Sequence, residues 1–274
     1  LHCRRVVNVL THPSEENSNV RNPFPVLRKF FAPKYGSASP ETYRRVRNYF
    51  SEKFKRIRPF HFNDALATIP TDTSPGSHWK RRGFKTKGEV LNDKKSVRSL
   101  RWFCHRIKEG KPVYPPPARV TVVKSFVKRS SNNEEKIKSR TVWVYPLEVI
   151  CAEAMFYAPF GEKIKSDIDW IPSPERHHDR FCQRRSHDVD FKNFDTSVSR
   201  QLIKQAFSIL RSFIDFDNYA DTGYGSRKPY SRHSLEKVFS FIENYFIRTS
   251  FVVQYKGVDC FGTKLHGVPS GSMF

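Results

Sequence analysis

The chain has 274 residues, of which 38% are hydrophobic and 14% aromatic, so it can bury a substantial core and disorder throughout is excluded. Its 49 Lys and Arg residues outnumber 27 Asp and Glu residues, which gives a net charge of +22. Positive charge on this scale attracts polyanions through counterion release. Composition therefore favours a nucleic-acid partner, but it does not separate an enzyme from a non-catalytic basic RNA-binding or capsid-associated protein.

The cysteines argue against a disulfide framework and against a zinc ribbon, because they are odd in number, far apart and never in a Cys-x-x-Cys pair. They are Cys3, Cys104, Cys151, Cys182 and Cys260. No apolar run approaches the roughly 20 residues needed to cross a bilayer, and no signal peptide precedes the start. We expect a reducing, cytosolic setting with no membrane partner. Because the chain starts at Leu1 and stops at Phe274, we also expect a piece of a longer protein.

The first 60 or so residues alternate basic and aromatic side chains. Apolar residues recur at helical spacing from Tyr43 to Phe54, which predicts a surface helix with a basic outer face. The pattern is compatible with a helix that contacts RNA directly and with a solvated helix that only packs on a core. Residues 69–88, "IPTDTSPGSHWKRRGFKTKG", predict an exposed loop that could approach a phosphate backbone. An ordinary basic surface loop is the competing interpretation.

A basic β-hairpin is predicted for residues 118–147. Two β-rich runs, Val120 to Val127 and Thr141 to Tyr145, flank a polar tip at 130–135. The cations that line it are Lys124, Lys128, Arg129, Lys136, Lys138 and Arg140. Strand alternation places the last three on one face, and a cationic face is not core. A solvated edge strand protected by its charge is the alternative.

An apolar stretch after Pro146, "LEVICAEAMFYAPF", predicts a buried helix that serves as a scaffold. A polar segment follows over residues 161–186. Its neighbourhood holds His177, His178, Cys182 and His187. A zinc site there is a minor alternative, because no complete ligand-spacing signature is present.

Three carboxylates then lie in "HDVDFKNFD", residues 187–195. Asp188 and Asp190 alternate with apolar residues as in a strand, and Asp195-Thr196-Ser197 offers an N-cap for a following helix. Amphipathic stripes predict that helix over 202–214 and a second one over 235–246. A hairpin over 250–261, turning at Lys256-Gly257, comes before the Gly- and Ser-rich end "GVPSGSMF".

The spacing of Asp190 and Asp195 is a weak signal alone, and Asp215 to Asp221 has a similar one without a preceding strand. Mg²⁺ favours one or two carboxylates from a rigid strand end together with phosphate oxygens, and Asp190 fits that position. Phosphoryl transfer also needs a cationic clamp, which residues 136–140 offer. A metal-dependent nuclease using Asp188 and Asp190 is an alternative.

Four segments in order resemble motifs of viral RNA-dependent RNA polymerases. "TSPGSHW" (73–79) resembles motif G, "KSRTVWVYP" (138–146) motif F, "DFKNFD" (190–195) motif A and "GVPSGS" (267–272) motif B. The likeness covers about residues 69–274 and is greatest to partitiviruses and the related picobirnaviruses, which have small double-stranded RNA genomes.

This resemblance implies an α+β right-hand polymerase fold, with fingers and a partial palm and without the thumb and motif C. Residues 1–68 would be an N-terminal fingers extension, and 69–186 the fingers with the motif G and F loops. Residues 187–274 would be a partial palm with motifs A and B and inserted fingers helices. Because the chain stops before the Thr and Asn that complete motif B and before the Gly-Asp-Asp of motif C, we expect this piece alone to be inactive.

The resemblance also implies roles for individual residues. The catalytic pair would be Asp190, which binds Mg²⁺ or alternatively Mn²⁺, and Asp195, which senses the 2′-hydroxyl of the incoming nucleotide. The nucleotide-binding residues would be Lys138 and Arg140 on the triphosphate, with Ser270 and Gly271 supporting the templating base and the ribose. The RNA-binding residues would be Ser74, Pro75, Gly76, Lys124 and Lys128.

The implied function is RNA-directed RNA polymerisation, the template-directed transfer of nucleotides that replicates and transcribes a double-stranded RNA virus genome. The implied partners are RNA template and product, nucleoside triphosphates and a viral capsid protein. The expected location is the host cytoplasm, within the virion.

Overall fold

In this computed structural model, residues 23–31, 34–54, 56–126, 137–167, 194–220 and 228–274 are described. Their strands are β1 (Ala118–Phe126), β2 (Ile137–Val144), β3 (Ser250–Tyr255) and β4 (Val258–Thr263). Their helices are α1 (Phe24–Leu27), α2 (Pro40–Lys53), α3 (Phe62–Ala67), α4 (Ser77–Arg81), α5 (Lys87–Asn92), α6 (Lys94–Glu109), α7 (Leu147–Asp167), α8 (Phe194–Ser197), α9 (Arg200–Phe213) and α10 (Arg232–Ile247). A 3-10 turn, Arg28–Phe30, follows α1.

The strands form one sheet in the order β2-β1-β3-β4. β1 and β2 pair antiparallel, and β3 joins β1 in parallel with Ala118 opposite Phe251. β3 and β4 form the second antiparallel pair. Both predicted hairpins are confirmed, although the tip at 130–135 lies outside the described residues. Lys256 and Gly257 have φ values of 48° and 78°, as the type I′ turn of a two-residue hairpin requires.

The predicted buried helix is α7, whose first ten residues are almost completely shielded from solvent. Its neighbours α9 and α10 turn their apolar stripes inward. Phe207 of α9 packs with ring centroids 5.7 Å from Phe239 and 5.3 Å from Phe246, both on α10. The helices that sequence periodicity predicts therefore meet in one core beside the sheet.

Two local predictions were wrong. Residues 69–88 are not simply an exposed loop: they contain α4 and the start of α5, and Pro75, Gly76 and Trp79 are buried. The hydrophobic effect favours burying a large indole even in a strongly basic stretch. The helix cap predicted at 195–197 lies further along the chain, because the hydroxyl of Ser199 accepts the N–H of Leu202 at 3.1 Å.

The segment before α2 is tied to both the sheet and α9. The ring of Phe30 lies 5.2 Å from that of Trp143 on β2, and its carbonyl accepts the N–H of Leu265 at 3.3 Å. The side chain of Gln205 on α9 accepts the N–H of Ala38 at 2.8 Å and donates to the carbonyl of Ala38 at 3.1 Å. These contacts place Phe30 against β2 and the chain that follows β4, and Ala38 against α9.

Within the described helices, none combines the length and apolar composition needed to cross a membrane.

Candidate active site

The candidate site is built around residues 264–274, which follow β4 and are called here the motif B loop. This loop passes between α8, which holds the end of the motif A segment, and β2, which holds most of the motif F segment. Its contacts with each of them are made largely by backbone atoms. The relative placement of the segments therefore depends on close approach of the main chain.

The first anchor joins the motif B loop to the motif A turn. The N–H of Val268 donates to the carbonyl of Asp195 at 2.7 Å, and the N–H of Gly267 donates to the carbonyl of Val198 at 3.0 Å. Gly267 has a φ of +83°, and a Cβ added there would lie 2.5 Å from the Asp195 carbonyl oxygen and 2.9 Å from the Phe30 ring. Only glycine satisfies both the backbone angle and the space.

The second anchor joins the motif B loop to strand β2. Gly271 lies so close to Trp143 that an added Cβ would overlap the Trp143 carbonyl. The hydroxyl of the neighbouring Ser270 donates to the carbonyl of Thr141 at 3.4 Å. The Ser270-Gly271 backbone is thus seated directly on the strand that carries motif F.

Two fully buried charged side chains hold the ends of the motif B loop. The Nζ of Lys264 donates to the carbonyls of Gly267 at 2.8 Å and of Ile247 at 3.3 Å, and burial lowers its pKa to about 7. Glu153 of α7 accepts the hydroxyl of Ser272 at 2.8 Å and the N–H of Met273 at 2.9 Å. Burial raises the pKa of Glu153 to about 7, against the opposing effect of these two hydrogen bonds.

The motif G segment meets the end of motif F. Gly76 has a φ of +93°, and an added Cβ would lie 3.5 Å from the carbonyl oxygen of Tyr145. Ser74 is half-buried and Pro75 is buried beside it. Of the template-guiding residues implied by the resemblance, Gly76 therefore lies against the connection between β2 and α7.

The predicted catalytic pair is described in part. The carboxylate of Asp195 is exposed and makes no ion pair or hydrogen bond with the residues that the structure describes, although its carbonyl anchors Val268. Asp190, together with Asp188, lies outside the described residues. The metal-ligand role of Asp190 and the ribose role of Asp195 stay predictions.

The predicted basic residues are described by backbone position only. Lys138 and Arg140 are on β2 opposite Ser125 and Val123, and Lys124 is on β1 opposite Ser139. The side chains at these positions, and all of Lys128, lie outside the described residues. Their contacts with triphosphate and RNA stay predictions.

Across the ranges the structure describes, no three His, Cys, Asp or Glu side chains form a metal-binding group. Mg²⁺ prefers hard oxygen donors such as carboxylates, and its predicted ligand, Asp190, lies outside the described residues. The residues of the zinc alternative, at 177, 178, 182 and 187, lie outside the described residues.

Sequence reasoning missed Glu153 and Lys264 as parts of the site. The available signal was the charge of Glu153 inside the apolar run of α7, because a buried carboxylate requires donors. Asp215 has a structural use: it is buried, accepts the N–H of Asp217 at 2.9 Å and lies 3.5 Å from Arg58. This supports the preference for Asp190 over Asp215 as a catalytic acid.

Comparison with known proteins identifies the class of this chain. Residues 29–274 match the model of the family described as viral RNA-dependent RNA polymerase, and the chain belongs to that family. The predicted family resemblance is thereby confirmed.

Solved polymerases share the fold. The Sicinivirus 3Dpol RNA-dependent RNA polymerase aligns with a TM-score of 0.56 and 14% identity over 88% of this chain and 51% of its own. The RNA-dependent RNA polymerase of a human picobirnavirus aligns with a TM-score of 0.58 and 16% identity over 91% of this chain and 45% of its own. The expected α+β right-hand polymerase fold is confirmed over this shared part.

Curated viral proteins also match parts of the chain. The RNA-directed RNA polymerase of Cryptosporidium parvum virus 1 (strain KSU-1) is 25% identical over 222 residues, which are 77% of this chain and 37% of that protein. The genome polyprotein of the Norwalk norovirus is 23% identical over 168 residues, 56% of this chain and 9% of the polyprotein. The chain therefore spans well under half the length of these relatives.

Proposed function

We propose that this chain forms the fingers and part of the palm of a polymerase that copies RNA by Mg²⁺-dependent addition of nucleotides to a 3′ end. The observation that carries the proposal is the junction at the motif B loop. There, Gly267 is packed on the carbonyl of Asp195 and Gly271 on the carbonyl of Trp143. Three segments that the resemblance assigns to nucleotide handling are thus joined through backbone contacts.

In this proposal, Asp190 holds the metal ion. When bound, Mg²⁺ neutralises the charge that develops on the transferring phosphate. Mn²⁺ has the same preference for oxygen donors and is an alternative ion. Val268 holds the backbone of Asp195, and the exposed carboxylate of Asp195 accepts a hydrogen bond from the ribose 2′-hydroxyl and so favours ribonucleotides.

The remaining residues bind and orient the substrates. Lys138 and Arg140 neutralise the triphosphate as cations of motif F, and Arg offers two parallel donors to phosphate oxygens. Ser270 is exposed at the surface of the motif B loop, where its hydroxyl can support the ribose and the templating base. The RNA-binding residues of the proposal are Ser74, Pro75, Gly76, Lys124 and Lys128.

The wider setting is also proposed. We assign the activity to replication and transcription of a double-stranded RNA virus genome of the partitivirus type, in the host cytoplasm and within the virion, with the capsid protein as a partner. We keep the proposed ranges 1–68, 69–186 and 187–274 for the fingers extension, fingers and partial palm. β3 and β4 from the third range share a sheet with β1 and β2 from the second, so these two ranges are continuous in structure.

The non-catalytic alternative, a basic RNA-binding or capsid-associated protein, accounts for the net charge of +22. It provides no reason for the two glycine contacts, which join the motif B loop to the motif A and motif F segments. A nuclease using Asp188 and Asp190 likewise requires no motif B loop. We therefore favour the polymerase.

Substitution of the first acid tests the proposal in the polymerase chain that contains these residues. Asp190→Ala should lower nucleotide incorporation by roughly a thousandfold, because it removes the metal ligand. RNA binding, measured by fluorescence anisotropy, should be largely retained because the overall positive charge supplies most of the affinity. The control is Asp259→Asn on β4, an exposed acid whose ion pair with Arg119 spans 3.9 Å. Normal incorporation by Asp190→Ala would reject the metal assignment.

The second acid is tested by substrate preference. Asp195→Ala should relax the preference for ribonucleotides over deoxyribonucleotides, because it removes the oxygen atoms that accept the 2′-hydroxyl. The measurement is the ratio of kcat/KM for the two substrates in the same polymerase. An unchanged ratio would count against the ribose role of Asp195.

A further inference from the structure

Glu153 is a carboxylate without solvent access in the middle of the apolar helix α7. Taking an ionised carboxylate out of water costs several kcal/mol unless hydrogen bonds replace the lost hydration. Both of its oxygens are used: Oε1 accepts from the hydroxyl of Ser272 and Oε2 from the N–H of Met273. Both donors belong to the motif B loop, 119 and 120 residues away along the chain.

The hydroxyl of Ser272 extends this contact into the end of the motif B loop. It donates to Glu153 and accepts the N–H of Phe274 at 3.1 Å. The ring of Phe274 packs 5.7 Å from Phe207 on α9 and 5.7 Å from Tyr157 on α7. The end of the loop is therefore fixed by one buried acid and by the aromatic core around it.

The charged and titratable groups around Glu153 come from several elements. Lys87 of α5 attracts its negative charge and opposes the pKa rise that burial causes. Tyr145, after β2, and Tyr245 of α10 are both buried, and the nearby acid contributes to their raised pKa values. Glu148 and Cys151 share α7 with it. Lys87 is the cation in this group, and the two loop donors provide the direct hydrogen bonds.

This geometry has a consequence for Ser270 and Gly271. They lie between two fixed points, the Val268–Asp195 hydrogen bond on one side and the Glu153 contacts on the other. Without the second point, the loop would keep its anchor on motif A but lose the hydrogen bonds that hold it beyond Gly271. Packing of the Phe274 ring would then be left to maintain the close approach of Gly271 to Trp143.

We propose that Glu153 is a positioning residue for nucleotide binding: it holds Ser272 and Met273 so that Ser270 and Gly271 stay seated on β2. The effect of Glu153 on nucleotide binding rests on the proposed function, whereas its effect on the position of the motif B loop does not depend on activity. A carboxylate suits the task because it presents two acceptors to two donors. A glutamine presents one acceptor and turns its NH₂ group toward the second donor.

The kinetic test uses Glu153→Gln in the polymerase chain that contains these residues. The KM for nucleoside triphosphate should rise about tenfold, the effect of losing one hydrogen bond to a charged group, while the Kd for template RNA stays unchanged. The matched control is Glu148→Gln, which removes another buried acid of α7, one without a described hydrogen bond to the motif B loop. Its KM should stay within about twofold of the wild-type value, the scatter expected of a neutral substitution. A loss of active enzyme with an unchanged KM would overturn the positioning role.

A second readout does not depend on activity. Amide hydrogen exchange in the peptide covering residues 268–274 should become about tenfold faster in Glu153→Gln and stay at the wild-type rate in Glu148→Gln. Unchanged exchange there would overturn the inference even in an active enzyme. An inactive wild-type polymerase with the expected exchange pattern would instead contradict the proposed function alone.

Ser272→Ala provides a second test in case Glu153→Gln fails to fold. It removes one of the two donors at a half-buried position and leaves the acid in place. Its KM and exchange rate should shift in the same direction as those of Glu153→Gln, and the double variant should be less affected than the sum of the two. Strict additivity would show that the two residues do not act through one contact.

Discussion

Replacing Gly267 with alanine should disrupt the contact between motifs A and B. An alanine at a φ of +83° costs about 1–2 kcal/mol of conformational free energy. Its Cβ would also lie 2.5 Å from the carbonyl oxygen of Asp195, so that carbonyl must move. The same oxygen accepts the N–H of Val268 at 2.7 Å, and weakening this bond costs about 0.5–1.5 kcal/mol more. The expected loss of unfolding free energy is therefore about 1.5–3.5 kcal/mol.

Gly257 provides the matched control for this substitution. It has a φ of +78°, but an added Cβ there meets no atom within 4 Å. Gly257→Ala should therefore lose only the conformational term of about 1–2 kcal/mol. The difference between the two variants isolates the crowding of a Cβ at Gly267 against the Asp195 carbonyl and the Phe30 ring.

The assay is urea unfolding followed by circular dichroism, with the unfolding free energy taken from the midpoint and slope. In the polymerase, Gly267→Ala should also lower the preference for ribonucleotides, because the backbone under the Asp195 carboxylate shifts. Unfolding free energies that agree within about 0.5 kcal/mol for the two variants would refute the reasoning that Gly267 is required for space at the Asp195 carbonyl.

Two further predictions concern the other fixed points of the motif B loop. Gly271→Ala should destabilise the protein by about 1–3 kcal/mol, because its Cβ overlaps the Trp143 carbonyl. The control, Gly161→Ala in α7, should instead stabilise the protein by up to about 1 kcal/mol, because the nearest contact there is an ordinary 3.6 Å. Equal melting temperatures for the two variants would contradict the prediction. The pKa of Lys264 falls from 10.5 to about 7 on folding. Between these two pH values the unfolded chain binds the Lys264 proton and the folded chain does not. The unfolding free energy should therefore rise with pH from about 7 to 10.5. The total rise in unfolding free energy should be on the order of 5 kcal/mol. Lys264→Met should remove this dependence on pH in urea titrations at pH 7 and 10. An unchanged dependence would mean that another group causes it.

Sequence patterns predicted the elements whose cause is local. The hairpin over 250–261 follows from alternating side chains and a Lys-Gly turn that tolerates positive φ, and the structure has β3 and β4 there. The helix after Pro146 follows from its apolar run in the same way. These predictions succeed because periodicity and turn chemistry depend on neighbouring residues.

The predictions that failed are those in which a distant contact competes with a local one. The residues at 195–197 have the chemistry of a helix cap, but Ser199 is the cap of α9. The Asp195 carbonyl is meanwhile used by Val268, more than 70 residues further along the chain. In the same way, Trp79 lies in a segment whose charge indicates exposure, yet its indole is buried.

The amino-acid sequence by itself determined the order of the four motifs, the class of polymerase that they indicate, and the helices and hairpins that carry them. Only the tertiary structure decided that Gly271 lies on the Trp143 carbonyl, that Ser270 reaches Thr141 across 129 positions, and that Glu153 holds the end of the motif B loop. The physical reason is that such contacts depend on close approach of backbones brought together by core packing. Spacing along the chain carries no information about which carbonyl a distant glycine will meet.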